Sequence, residues 1–262
     1  MTQSLPTVLI TGASTGIGAT YAERFARRGH DLVLVARDQA RMEALAARLR
    51  AESGVAIDII KADLTDNADI ARVEARLRDD ETIGVLVNNA GAAAHGGFAD
   101  QDPEAVDWLI RLNVTSLTRL TAAVVPRFLR QGKGAIINLA SVLALAPEIS
   151  FGVYSATKAF VLTLSQSLQT EIGPKGIYVQ AVLPAATRTE IWERSGRDIN
   201  TIQGVMEVGE LVDAALVGFD RKEGVTIPPL PDAGQWETFN GARQAMLPNF
   251  AQSNAAARYK AA

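Results

Sequence analysis

Cysteine is absent from the 262-residue chain, which excludes disulfides and thiolate metal sites together. Histidine is nearly absent too: His30 and His95 are too few for a histidine-rich centre, so no metal is expected. Basic residues are not in excess, and the formal net charge is −3. Nucleic-acid binding needs a basic stripe, so no nucleic acid is expected as a partner. No apolar run reaches the roughly 18 residues that a membrane span requires. Met1–Pro6 lacks a basic stretch followed by an apolar core, so no signal peptide is expected either. These exclusions leave a cytoplasmic protein without membrane contact as the expectation. Apolar residues make up 48% of the chain, enough to bury a sizeable core.

What the chain does contain is an alternation of two patterns. Short β-branched runs occur at Val8–Ile10, Asp31–Ala36, Ala56–Lys61, Gly84–Val87, Gly134–Ser141 and Gly176–Leu183. Such near-continuous apolar runs suit parallel strands covered on both faces. Between them lie helical stretches: one ending near Arg28, then Arg37–Glu52, Asp66–Arg78, Pro103–Arg130 and Phe151–Ile172. Pro126 falls inside the fourth and is expected to kink or end it. Glu210–Asp220 reads as a helix and Gly224–Pro228 as a last edge strand. The pattern predicts right-handed βαβ units: an α/β, Rossmann-like, doubly wound parallel sheet with helices on both faces. No linker or shift of composition divides the chain. One dinucleotide-binding and catalytic domain is therefore expected, with its core at about 6–228 and a tail at about 230–262.

Thr11–Gly18 joins the first strand to the first helix and carries Gly12, Ser14, Thr15, Gly16, Ile17 and Gly18. Glycines there let the backbone approach a diphosphate, and the helix N-terminus offers free N–H groups. The spacing is a relative of the dinucleotide fingerprint with a longer first gap. A ligand-free βα connection is the plainer alternative. Where the second strand ends, Arg37 stands in place of a carboxylate, which suits the 2′-phosphate of NADP better than the bare ribose of NAD. NADP(H) is preferred and NAD(H) remains possible, because Asp38 follows at once. Tyr154 and Lys158 stand one above the other on a helix face. An ammonium beside a phenol favours phenolate, and activity near neutrality requires about 4 kcal/mol of such help. Ser141 ends the strand before them. The plainer alternative makes the pair ordinary surface residues of an amphipathic helix.

With the glycine turn, Asn88–Gly91, Ser141 and Tyr154-x-x-x-Lys158 in this order, the chain resembles the short-chain dehydrogenase/reductase family over roughly residues 6–190. The resemblance implies a sheet of about seven parallel strands and Tyr154 as general acid for a carbonyl oxygen. It implies that Lys158 lowers the Tyr154 pKa and holds the nicotinamide ribose. Ser141 would polarise the carbonyl, and Asn113 would hold a water that links Lys158 to solvent. Cofactor contacts are implied at Asp63 and Leu64, at Asn88 and Ala90, and at Pro184, Thr187 and Thr189. The family usually reads Pro-Gly where this chain has Pro184-Ala185. His95, Val142, Leu143, Glu148, Phe151 and Trp192 are nominated for the substrate pocket, whose apolar members suit ketones or secondary alcohols. A homodimer or homotetramer is implied, paired through the Pro103–Arg130 and Tyr154 helices, with Phe160 and Leu164 on the latter. Two alternatives stay open: an NAD-dependent secondary-alcohol dehydrogenase, and a non-catalytic nucleotide-binding scaffold or sensor.

Overall fold

The computed structural model describes residues 5–93, 98–149, 152–194 and 198–260. Its contacts divide the chain into a main body that ends at Pro228 and a C-terminal unit from Pro229. In the main body the elements run β1 (Thr7–Thr11), α1 (Gly16–Arg27), β2 (Leu32–Ala36), α2 (Gln39–Ser53), β3 (Ile57–Lys61) and α3 (Asn67–Asp79). Then follow β4 (Ile83–Asn88), α4 (Pro103–Ile110), α5 (Ser116–Gln131), β5 (Gly134–Leu139) and α6 (Val153–Ile172). The body closes with β6 (Ile177–Val182), α7 (Ile191–Arg194), α8 (Val208–Asp220) and β7 (Val225–Thr226).

The strands form one seven-stranded sheet in the order β3-β2-β1-β4-β5-β6-β7, and every neighbouring pair is parallel. Alternation along each strand sends side chains to opposite faces. Val8 and Ile10 join Tyr21, Phe25, Met42, Leu49 and Val212 in a core under α1, α2 and α8. Leu9 joins Val73, Leu77, Leu120, Val124 and Phe128 in a second core under α3 and α5. The chain leaves β1 in one direction toward β3 and resumes on the other side of β1 with β4. A doubly wound sheet opens a crevice at such a reversal, beyond the carboxyl ends of the strands. The glycine turn after β1 and the Asn88–Gly91 corner after β4 both lie there.

Local chemistry fixes the element ends. Asp38 caps α2 by accepting from Arg41 N at 3.0 Å, and Asp66 caps α3 by accepting from Ala68 N and Asp69 N, each at 2.9 Å. β7 pairs over Val225–Thr226 alone, shorter than Gly224–Pro228, since the two prolines that follow have no N–H to donate. Pro126 does not end its helix: α5 runs through it. The irregularity falls earlier, where a π-turn at Arg111–Thr115 separates α4 from α5. In the C-terminal unit, Asp232 caps α9 (Ala233–Ala245), and the Trp236 and Phe239 rings stack at 5.7 Å. Among the described residues, no helix is long and apolar enough to cross a membrane.

Candidate active site

The glycine turn is built so that nothing larger fits. Gly12 and Gly16 have φ of +66° and +55°, which side chains resist. A Cβ on Gly18 would stand 2.3 Å from Gly12 O and 2.5 Å from Asn89 Nδ2. The turn's supports are residues that sequence reasoning did not single out. Thr11 Oγ1 accepts from Asn89 N and Ala90 N, each at 3.0 Å. Asn89 Nδ2 donates to Thr11 O at 2.8 Å and Gly12 O at 3.2 Å. Thr15, which caps α1, makes no side-chain capping bond, and no acidic residue occupies the first turn. The helix therefore keeps its N–H groups and partial positive charge for an anion. These features fit a dinucleotide diphosphate.

Asn88, by contrast, is 3% exposed and points into the core. Its Nδ2 donates to Thr121 Oγ1 at 3.1 Å and Asn138 Oδ1 at 2.9 Å, away from the turn. Leu64 is likewise a core side chain. Asp63 accepts from Thr65 N at 2.9 Å and Thr65 Oγ1 at 2.7 Å. Arg37 Nη1 stands 3.9 Å from Asp63 Oδ2, and 60% of the arginine side chain is exposed. Arg37, Lys61, Arg72, Asp63 and Asp69 line a hollow of about 370 Å³. A larger hollow, of about 510 Å³, lies on α3 and α5 and contains none of the predicted site residues. Asp38, which follows Arg37, accepts from Arg41 N in capping α2. The hollow's three basic side chains outnumber its two acidic ones, which fits a 2′-phosphate.

Across the switch point stand the predicted catalytic residues. Ser141 follows β5 in extended backbone, and its Oγ accepts from Leu143 N at 3.2 Å. Its Oγ also donates to Pro184 O at 3.4 Å, a long contact. The same hydroxyl hydrogen-bonds the Tyr154 phenol on the first turn of α6. Lys158, one turn further, is 6% exposed and donates from Nζ to Leu139 O at 2.8 Å. Gly91 permits this crowding, because a Cβ there would lie 3.2 Å from Asn113 Oδ1 and 3.5 Å from Lys158 Nζ.

Asn113 sits within the π-turn, a deformation often found at functional sites. Its Nδ2 donates to Ala92 O at 3.0 Å and Thr157 Oγ1 at 3.1 Å, while Oδ1 accepts from Ala92 N at 2.9 Å. Thr157 in turn donates to Tyr154 O at 2.7 Å. The Asn113 side chain thus ties the corner after β4 to the turn of α6 between Tyr154 and Lys158. Thr157 was not anticipated; its place in the Tyr154–Lys158 interval is the one signal for it.

Burial pushes the Tyr154 phenol up to about 12, against which the Ser141 hydrogen bond pulls it down. The ammonium lies 5.7 Å from the phenol ring centroid and is directed at a carbonyl. Burial lowers Lys158 itself to about 8. The phenol is thus held protonated at neutral pH, the state that a proton donor needs.

Around this centre, Val142, Leu143 and Ala144 form a half-buried turn packed on α6, and Glu148 is exposed. Thr187 is buried and donates to Ala185 O at 3.0 Å. Thr189 lies against Gly16. Trp192 Nε1 donates to Thr187 O at 2.7 Å. His95 and Phe151 lie outside the described residues.

Comparison with known proteins draws on the same stretch. Residues 6–200 match the family described as short chain dehydrogenase. A short-chain dehydrogenase from Sphingobium yanoikuyae, solved in complex with NADPH, is 65% identical, with a TM-score of 0.96 over 97% of this chain and 100% of that one. A bulky-bulky ketone specific alcohol dehydrogenase from Comamonas testosteroni is 58% identical, with a TM-score of 0.92 over 99% of this chain and 100% of that one. A very-long-chain 3-oxoacyl-CoA reductase from Anas platyrhynchos is 35% identical over 70% of this chain, and the match spans 60% of that reductase's length. The family match runs from the glycine turn through the helix that carries Tyr154 and Lys158, and on that ground the chain belongs to the short-chain dehydrogenase family.

Proposed function

We propose that the protein is an NADPH-dependent carbonyl reductase, which run backwards is a secondary-alcohol dehydrogenase, with Tyr154 as its proton donor. The observation that carries this reading is the buried Tyr154 phenol, bonded to Ser141, with Lys158 one turn behind it. The NADPH complex of the Sphingobium protein and the ketone specificity described for the Comamonas enzyme support it.

When bound at the switch point, the cofactor supplies the hydride that the carbonyl carbon accepts. The chain's own residues do the rest. Ser141 donates a hydrogen bond to the carbonyl oxygen and orients it. Tyr154 gives that oxygen its phenolic proton as negative charge develops there. The Lys158 ammonium lowers the cost of the phenolate left behind. Val142 and Leu143 give the substrate an apolar wall, which suits ketones with hydrocarbon flanks.

The pH dependence follows with a definite sign. Tyr154, near 12, stays protonated through mildly alkaline solution, whereas Lys158 loses its charge above about 8. Reduction should therefore be level below that point and fall as pH rises through it. Lys158→Arg should keep the plateau to higher pH. kcat/KM profiles of the two proteins measure this, and an unchanged fall in the variant contradicts it.

Arg37 carries the cofactor preference. Arg37→Ala should weaken NADPH binding about tenfold or more while changing NADH less than about twofold, as expected for losing a charge-assisted contact. Fluorescence titration with both nucleotides tests this, and equal losses would refute it. A homodimer or homotetramer paired through the Pro103–Arg130 stretch and α6 belongs to the same proposal, supported by the 40% exposure of Phe160 on α6. So does a cytoplasmic location. Light scattering and cell fractionation test these two points.

A further inference from the structure

Two elements far apart in sequence meet above the glycine turn. Thr189 lies against it, since a Cβ on Gly16 would stand 3.2 Å from the Thr189 methyl. The next residue, Glu190, reaches the first turn of α2. There Arg41 Nη1 donates to both carboxylate oxygens, at 2.8 and 2.9 Å. Asp38 Oδ2 stands 3.3 Å from Arg41 Nε and helps to aim the guanidinium. The other flank of this segment is tied by backbone. Met206 N donates to Ala186 O and Arg188 N to Met206 O, each at 2.9 Å, while Arg188 Nε donates to Glu207 Oε1 at 2.7 Å. Residues 186–190 thus form an arch over the turn, anchored to Met206 and Glu207 on one side and fastened to α2 by Arg41 and Glu190 on the other.

We propose that Arg41 and Glu190 are a clasp over the bound dinucleotide, and that parting them sets the rate at which cofactor leaves. This rests on the dinucleotide reading given above. The two residues come from elements on opposite flanks of the crevice, so lifting the arch from the phosphate-binding turn requires breaking their pair. Nη1 alone serves both carboxylate oxygens. The pair is half-exposed, at 49% and 38%, and such pairs are weak and screened by salt. A fastener of this kind holds without locking. Because it grips the arch rather than the ligand, it should act alike on nucleotides with and without a 2′-phosphate.

The test is release rather than turnover. Protein preloaded with NADPH or NADH is mixed with excess oxidised nucleotide, and dissociation is followed by the fluorescence of the reduced ring. Glu190→Gln and Arg41→Gln should each speed release of both nucleotides roughly two- to fivefold, with smaller changes in association. Added salt should speed NADH release from the parent more than from Glu190→Gln. Unchanged release from Glu190→Gln would overturn the clasp. So would an Arg41→Gln effect confined to NADPH, which would make Arg41 a phosphate ligand only. If the parent binds neither nucleotide, the reading beneath the clasp fails, and the clasp with it.

Discussion

Tyr154→Phe should lower ketone reduction by about 10²- to 10⁴-fold, the range that a positioned general acid contributes, while NADPH binding persists. The phenyl ring keeps its place on the first turn of α6, and that turn remains tied through Thr157 to Asn113. Only the hydroxyl goes. Ser141 then loses one partner but keeps Leu143 N, so unfolding is not expected. Three readouts separate the effects: the melting temperature and the NADPH affinity should stay near those of the parent, and the turnover number should collapse. A variant that retains even a tenth of parental turnover would show that the proton comes from elsewhere.

Gly18→Ala should weaken cofactor binding strongly and destabilise the fold at once. Alanine is the better helix former by about 1 kcal/mol, so propensity alone predicts a gain. Sterics reverse the sign. The added Cβ would meet Gly12 O at 2.3 Å and Asn89 Nδ2 at 2.5 Å, the two groups whose hydrogen bond holds the turn. Overpacking at such a site costs about 1–3 kcal/mol, and relief must displace the backbone that approaches the diphosphate. NADPH affinity should fall by about a hundredfold, a loss of about 3 kcal/mol. Gly54→Ala is the control. There φ is +69° but nothing lies within 4 Å, so a comparable stability loss of about 1–2 kcal/mol should leave NADPH binding untouched. Calorimetry of both variants with and without nucleotide makes the comparison. Tight NADPH binding by Gly18→Ala would contradict the steric account.

The parts of this architecture that were legible in the sequence are those set by local pattern. Continuous β-branched runs such as Leu32–Ala36 become central parallel strands, because both their faces are covered. The glycines at 12 and 16 mark a turn that only positive φ allows. The spacing of Tyr154 and Lys158 places both on one face of α6. What pattern could not supply was depth and insertion. Asn88 and Asn89 are adjacent and chemically identical, but successive residues face opposite ways at a strand end. One enters the core beside Thr121, the other supports the glycine turn. Proline chemistry pointed to a kink or an end at Pro126, yet α5 continues through that residue, which lies on its exposed face. The π-turn that does interrupt the run carries no glycine or proline to announce it. Nor can spacing show the burial of the Tyr154 hydroxyl or the aim of the Lys158 ammonium at Leu139 O.

The central claim is that one buried phenol delivers the proton while a docked nicotinamide delivers the hydride. NADPH carrying deuterium at C4, offered on each face in turn, tests it through the alcohol product. The protein should place deuterium on the carbinol carbon from one face only, and Tyr154→Phe should yield almost no labelled alcohol in the same time. Unlabelled alcohol from both forms of the cofactor, or equal labelling by the variant, would contradict the account.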